Sequence, residues 1–478
     1  MKTIPVLSFL SALALLAGCA VGPEYERPES ALPDFPDSGD APPAPEAWWS
    51  RFGDPTLDHL LAATIAGNHD LEAGRQNIVK ARALLDTVQG GNRPQLSAGG
   101  SVIRQERSEN ALFPVLEGTP GFPDRTETLF SAGFDATWEI DLFGRNRNTE
   151  EAGEFRVAWT EFSLQNLQAS ILAETGRLYI SWINLDRNIA FLRETIGVQE
   201  HMASVLNARY KAGSVSELEP ARATARLHQL QATLPSLQAE REAVLSALST
   251  LTSIPRNELR QMLEGAERIP EVEPFMGDTI ESGVLQQRPD LRMAETRIQQ
   301  ANKELGAHVA NLYPRFVLVG SLGLESVDTS TFAESASRFW RLGPSITLPI
   351  LEGGRLRGRV DAAEADLQIR ISQYRQQVLK ALGESETALI RFNRGIEETQ
   401  LTEEAFASTT TALETARRQY EAGVLPLDAV LNLQEEQLSA HQQLVRARSR
   451  TAIALISLGK ALGGSWDFNN EGTSTHPQ

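Results

Sequence analysis

Four short stretches of the chain alternate apolar and polar residues with period two. From Phe130 to Asp141, residues Phe130, Ala132, Phe134, Ala136, Trp138 and Ile140 fall on one face. Ser131, Gly133, Asp135, Thr137, Glu139 and Asp141 fall on the other. Trp340, Leu342, Pro344, Ile346, Leu348 and Ile350 repeat the apolar row, with Arg341, Gly343, Ser345 and Thr347 opposite. Leu96 to Val102 and Phe316 to Leu324 carry the same alternation more weakly. A period of two predicts strands. One apolar face and one charge-bearing face suit a membrane β-barrel, and equally a soluble antiparallel sheet with one wet side.

Most of the rest is helical in pattern. No proline occurs from about Arg145 to Tyr210 or from about Leu356 to Tyr420, where Ala, Leu, Glu, Gln and Arg dominate. Each run is roughly 65 residues, a helix of about 100 Å at about 1.5 Å per residue. Returning helices are expected at about Leu218–Ser253 and Leu427–Leu462. Leu164, Leu167, Ile171, Leu178 and Trp182 recur at helical spacing, the seam of a coiled coil or bundle.

These patterns occur twice. Asn68-His69-Asp70-Leu71 matches Arg288-Pro289-Asp290-Leu291, and Arg93-Pro94 matches Tyr313-Pro314, both at an offset of 220. Phe143-Gly144-Arg145 matches Gly353-Gly354-Arg355, and Arg209-Tyr210-Lys211-Ala212-Gly213 matches Gln419-Tyr420-Glu421-Ala422-Gly423, both at 210. One change of offset implies ten extra residues in the first half, around Pro120–Pro123. A constant register with one interpretable shift predicts duplication. The first repeat covers 48–287, with a β-hairpin at about 95–141 and a long helical hairpin at about 145–253. The second covers 288–464, with a β-hairpin at about 315–351 and a helical hairpin at about 356–462. Residues 465–478 read as a disordered tail. The fold class is mainly α with a membrane β part. Four strands cannot close a barrel alone, and lipid does not tolerate open sheet edges, so several copies must share one. Three copies give twelve strands, though the number is not fixed by the pattern.

The chain opens with Lys2, an apolar run from Ile4 to Leu16, and Leu16-Ala17-Gly18-Cys19. The run is too short to span a bilayer, and residues 1–18 read as a signal peptide. Cys19 is the only cysteine of 478 residues. Small residues before it predict cleavage there, with a diacylglycerol on the thiol and an acyl chain on the freed amine. Several acyl chains anchor firmly. Residues 19–47 read as an extended tether rich in Pro, Asp, Glu and Ala. After Cys19 no apolar run is long enough for a spanning helix. The net charge of −17 disfavours nucleic acid as a partner.

Cys19-Ala20-Val21-Gly22-Pro23-Glu24-Tyr25 resembles the lipidated start of the outer membrane factors, the exit ducts of bacterial efflux pumps. Trp48-Trp49, Phe52, Asp54-Pro55 and Leu57 resemble that family's first-half signature. Arg288-Pro289-Asp290-Leu291-Arg292, Ala294 and Glu295 resemble its second. Ala20, which is not Asp, resembles the outer-membrane sorting pattern of enterobacterial lipoproteins. The resemblance covers Cys19 to about Gly464. It implies a homotrimer in which a twelve-stranded outer-membrane β-barrel sits on a periplasmic α-barrel. It also implies a periplasmic adaptor and an inner-membrane transporter as partners. On this reading Phe130, Phe134, Trp138, Ile140, Trp340, Leu342, Ile346 and Leu348 face lipid.

The helical hairpins should turn at Gly213, Ser214 and Val215 and at Gly423, Val424 and Leu425. As structure these glycines are helix C-caps. By resemblance the turns form the periplasmic tip, where the duct closes and the adaptor docks. Tyr420, Asp428 and Asn432 are the gate candidates. Family members often carry a carboxylate at the position nine after the glycine, which here is Asn432. Asp428 is either a ring charge at the constriction or a first-turn residue favoured by the helix dipole.

The seven histidines are scattered with no metal-ligand spacing. There is no phosphate loop or nucleophile elbow, and the five methionines and single cysteine give metal handling no support. No cofactor, metal site or enzyme activity is expected. The alternative reading is a coiled-coil or adhesin-like surface lipoprotein that conducts nothing.

Overall fold

The structure, a computed structural model, describes residues 21–28, 48–106, 108, 126–264, 269 and 285–463. Cys19, most of the tether, the Pro120–Pro123 insertion and residues 465–478 lie outside the described residues. The first repeat contains α1 (Pro55–Gly67), α2 (His69–Gly91), β1 (Gln95–Glu106) and β2 (Thr126–Ile140). Then come α3 (Arg145–Lys211), α4 (Leu218–Thr252) and the short α5 (Arg256–Leu263). The second contains α6 (Pro289–Ala310), β3 (Arg315–Ser326), β4 (Arg338–Thr347), α7 (Arg355–Glu421) and α8 (Leu427–Ala461).

The internal repeat is visible in element lengths. The strands β1 and β3 have 12 residues each, α3 and α7 have 67 each, and α4 and α8 have 35 each. From β1 to β3 the offset is 220, over the long helices α3 and α7 it is 210, and beyond the hairpin turns it is 209. The sequence motifs alone suggest a single shift; the second lies in the turns. Six residues (Ala212–Glu217) join the first helix pair and five (Ala422–Pro426) the second.

The chain divides into two compact units. One holds Val21–Pro28, Ile78–Trp159 and Glu295–Gln373, and therefore the whole sheet. Its strands pair in the order β1-β2-β3-β4, every neighbour antiparallel. The Glu139 carboxylate at the end of β2 accepts from Arg145 at the start of α3 (2.8 and 2.9 Å) and from Arg315 at the start of β3 (2.6 Å). That pairing fixes where strands become helices.

The other unit carries the main apolar core. Trp49, Phe52, Leu57, Leu60 and Leu61 pack with Leu172, Tyr179 and Ile183 of α3, Leu245 and Leu248 of α4, Phe392 of α7 and Leu455 of α8. In the seam named above, Ile171, Leu178 and Trp182 are buried, whereas Leu164 and Leu167 are half-buried. The two repeats use the same device to attach their short helices. Asn68 donates to the Leu251 carbonyl at the end of α4 (3.0 Å), and Arg288 donates to the Ala461 carbonyl at the end of α8 (3.1 Å). Helix C-termini leave carbonyls without intrahelical donors, and the residue just before α2 or α6 supplies one.

Candidate functional site

The strand register brings the four alternating rows onto common faces. Across the sheet Val102 faces Phe130, Ala98 faces Phe134, and Phe134 faces Leu322, which faces Trp340. Leu96 faces Ala136, Trp138 faces Leu318, and Ile140 faces Phe316, which faces Ile346. Directly opposed residues share a face in an antiparallel sheet. One side therefore carries every one of these apolar residues. Leu96, Trp340 and Leu342 remain 72, 74 and 68% exposed. Phe134, Trp138, Leu322 and Ile346 are exposed as well, while Phe130 and Ile140 are half-buried. A contiguous patch of this kind needs an apolar medium. The Trp138 Nε1–H donates to the Asn92 carbonyl (3.2 Å), leaving only the rest of its ring system to that medium.

The opposite face carries the charged and hydroxyl side chains, with Ile103, Leu129, Val319 and Phe339 interspersed among them. Ser97, Asp135, Ser321 and Arg341 lie in one row across the four strands. Ser101 and Ser131 share a hydrogen bond of 2.8 Å, and Gln105 donates to Glu127 at 2.6 Å. Such a face suits a wet lumen. Leu348 does not belong to β4, which ends at Thr347. Pro349 follows and has no N–H to extend a ladder. Leu348 is still 52% exposed.

At the other candidate region, the two hairpin turns open with the same helix cap. Gly213 and Gly423 adopt φ of 71° and 73°, the left-handed region that only glycine enters cheaply. Ser214 N–H reaches the Arg209 carbonyl (2.9 Å) and Gly213 N–H the Tyr210 carbonyl (2.8 Å). Val424 and Gly423 make the corresponding bonds to Gln419 and Tyr420 (2.8 and 2.9 Å). Both are Schellman caps. Ser214 is exposed and Val215 half-buried.

The apolar second turn divides its side chains. Val424 is 70% exposed. Leu425 leans on Leu413, Ala416 and Val430, and Leu427 is buried against Ala203, Leu206 and Ala223. Val424 and the neighbouring Pro426 remain as the apolar lip, because the leucines pack inward. Asp428, in the first turn of α8, is ion-paired with Arg222 of α4. Arg226 and Glu435 pair further from the turns (3.7 Å). Asn432 is exposed. Tyr420 packs against the cluster formed by Ala203, Leu206, Ala223 and Leu427. Burial and then nearby Glu219 push its hydroxyl pKa up, while the Arg209 guanidinium pulls the other way.

Arg222, Arg209 and Glu219 are absent from the sequence-derived candidates. Arg222 lies 206 residues from Asp428, and no local spacing announces such a partner.

The signature residues turn out to be joints. Asp54 caps α1 through the Thr56 N–H (2.9 Å) and accepts the buried Tyr179 hydroxyl of α3 (2.5 Å). Arg288 is 6% exposed and holds Asp290 (2.8 Å), Glu384 of α7 (2.7 Å) and the end of α8. Among the described residues no cluster of His, Cys, Asp or Glu could hold a metal ion, and no helix is long and apolar enough to cross a membrane.

A sheet with one exposed apolar face and one face bearing charges, each of its hairpins followed in the chain by a 67-residue helix, defines the protein as a membrane channel of the mixed strand-and-long-helix class. Residues 60–253 and 282–464 match the family described as outer membrane efflux protein, and the chain belongs to that family. It is 26% identical over 468 residues to the probable efflux pump outer membrane protein SepC of Pseudomonas putida, covering 95% of each chain. It is 26% identical to the outer membrane protein OprJ of Pseudomonas aeruginosa, covering 97% of this chain and 96% of that one. Its fold is similar to the solved outer-membrane channel OprN, with a TM-score of 0.83 and 30% identity, over 94% of this chain and 100% of that one. It is accordingly an outer-membrane protein, and its relatives are efflux ducts rather than enzymes.

Proposed function

We propose that three copies of this chain form the exit duct of a tripartite efflux pump. On this reading a periplasmic adaptor and an inner-membrane transporter deliver small molecules, and the duct passes them to the exterior. The sheet carries the proposal. Its exposed aromatic and leucine rows are in register on one face, and among the described residues β1 and β4 each have a strand neighbour on one side only. Both edges must be paired before lipid can surround the sheet. Joining β4 of one copy to β1 of the next closes a ring with the apolar face outward and the Asp135–Arg341 face inward. The paired turns at Gly213 and Gly423 form the closed end and the adaptor's docking surface. Rest and opening then differ in how the α7–α8 turn sits against the α3–α4 turn. The Arg222–Asp428 pair holds them together in the resting duct. In this scheme Asp428 acts as the latch charge and Asn432 adds no charge to the lumen. A lipid on Cys19 ties the N-terminus to the inner leaflet and assists insertion.

Detergent-extracted protein should have the mass of a trimer and conduct ions in planar bilayers. A folded monomer that does not conduct sinks the proposal in favour of a lipid-anchored scaffold. Cys19→Ala should still give outer-membrane trimers, in smaller yield.

A further inference from the structure

Glu295, one residue of the second-half signature, has no place in the lumen or at the turns. It faces the N-terminal segment instead. The Tyr25 hydroxyl donates to its Oε1 (3.3 Å), and Arg27 pairs with the same carboxylate (3.2 Å). Seven residues along α6, the Asn302 side chain donates to the Pro23 carbonyl (3.2 Å). Four residues further, Gly306 meets Gly22 backbone to backbone. A Cβ on Gly22 would lie 2.8 Å from the Gly306 Cα. Positions 295, 302 and 306 share one helix face. Val21–Pro28 therefore runs antiparallel along α6, its N-terminal end towards β3. There the Val21 N–H donates to the Phe143 carbonyl (3.1 Å), in the link from β2 to α3. The Phe143 ring stacks on Tyr313 (4.9 Å) and lies 6.5 Å from Phe316. Aromatic rings at the ends of membrane strands belong at the membrane–water boundary.

We propose that Val21–Pro28 is a docked strap that fixes where the lipid on Cys19 enters the membrane, with Glu295 as its lock. The proposal rests on the lipidation reading above. Ala20 alone separates Cys19 from Val21, a covalent reach of at most about 7 Å. A chain free from Pro28 onward would let its end wander by roughly 15 Å. The docked strap delivers the acylated end to the Phe143–Tyr313 collar instead. It also ties the β2–α3 link to α6, so anchoring and barrel assembly are coupled through one segment.

The strap contains cleavage sites for a glutamate-specific protease at Glu24 and Glu26. In membranes carrying the full protein, the docked strap should resist the protease. Glu295→Ala should be cut several-fold to about tenfold faster, since cleavage tracks the population of the released state. Arg27→Asp and Glu295→Arg should each do the same, and the double variant should regain protection. Equal rates in wild type and Glu295→Ala overturn the strap. Faster cutting that the double variant does not restore overturns Glu295 as the lock. The mass of the released peptide reads the lipid separately. An acylated peptide freed at equal rates leaves lipidation standing and removes the strap. A protected strap whose peptide, freed after denaturation, has no acyl mass removes the lipid role.

Discussion

The Arg222 guanidinium of α4 meets the Asp428 carboxylate of α8 beside the two hairpin turns. Both side chains are about half exposed, at 47 and 54%. Separation of the α4 and α8 turns would break this pair. In a trimer it occurs three times around one axis, so a small loss per protomer is multiplied. Asp428→Asn and Arg222→Ala should each raise single-channel conductance in planar bilayers and vancomycin entry in cells. The exchange Arg222→Asp with Asp428→Arg should return both towards wild type. Asn432→Asp should change less than Asp428→Asn; the reverse order would make Asn432 the electrostatic element of the tip.

The register of the sheet makes a second expectation specific. Trp138→Arg and Leu322→Arg place a charge on the lipid face, at a cost of about 2–4 kcal/mol per strand near mid-bilayer. Their outer-membrane trimer yield should fall sharply. Thr137→Arg and Ser321→Arg lie on the polar face and should assemble, with altered conductance. Heat-stable trimer on mild SDS gels is the readout, and equal loss from both sets would reverse the face assignment.

Close approach of β2 and β3 singles out Gly323. A Cβ there would lie 2.5 Å from the Ala132 carbonyl oxygen and 3.0 Å from the Phe339 ring. Gly99 lies on the same face with open space around it. Gly323→Ala should therefore impair assembly, and Gly99→Ala should be tolerated. Trimer yields that do not differ between the two would show that the strands can shift apart at no cost.

Acid should loosen the joint at Arg288. Burial pushes the Asp290 carboxyl up, but the Arg288 guanidinium, the Gln377 amide and the Leu291 N–H outweigh it and hold it below the usual carboxylate range. A group whose folded pKa is depressed stabilises the fold above its ordinary value, and this contribution fades as pH falls through the lowered one. Thermal stability of the detergent-extracted protein should drop between about pH 5 and pH 3, and Asp290→Asn should flatten that drop. Asp290→Ala at pH 7 leaves Arg288 with Glu384 as its one remaining carboxylate beside the Ala461 carbonyl and should cost about 3 kcal/mol. A pH profile identical in wild type and Asp290→Asn would place the acid-sensitive joint elsewhere.

Local order was legible because its causes are local. The alternation around Phe130–Asp141 and the proline-free runs before Tyr210 and Tyr420 reflect backbone periods of two and 3.6. The left-handed glycines at 213 and 423 were legible for the same reason. The end of β4 was not, since the apolar row runs on through Leu348 and Ile350, while the ladder stops at the Arg315–Thr347 pair, with Pro314 before one strand and Pro349 beyond the other. The inward packing of Leu425 and Leu427 was not legible either, because it depends on helices about ten to more than two hundred residues away.

By itself the sequence determined the duplication, the strand and helix types, the turn glycines, and the need for other copies to close the sheet. These follow from short-range periodicity and from the cost of unpaired backbone in lipid. Tertiary structure alone decided which charge meets which. Arg222 with Asp428, Glu295 with Tyr25 and Arg27, and Arg288 with Glu384 are each pairs separated by 96 to 270 residues. Charged side chains carry no periodic signature of their partners. Their pairing is set by where the long helices, fixed by apolar packing, bring distant segments side by side.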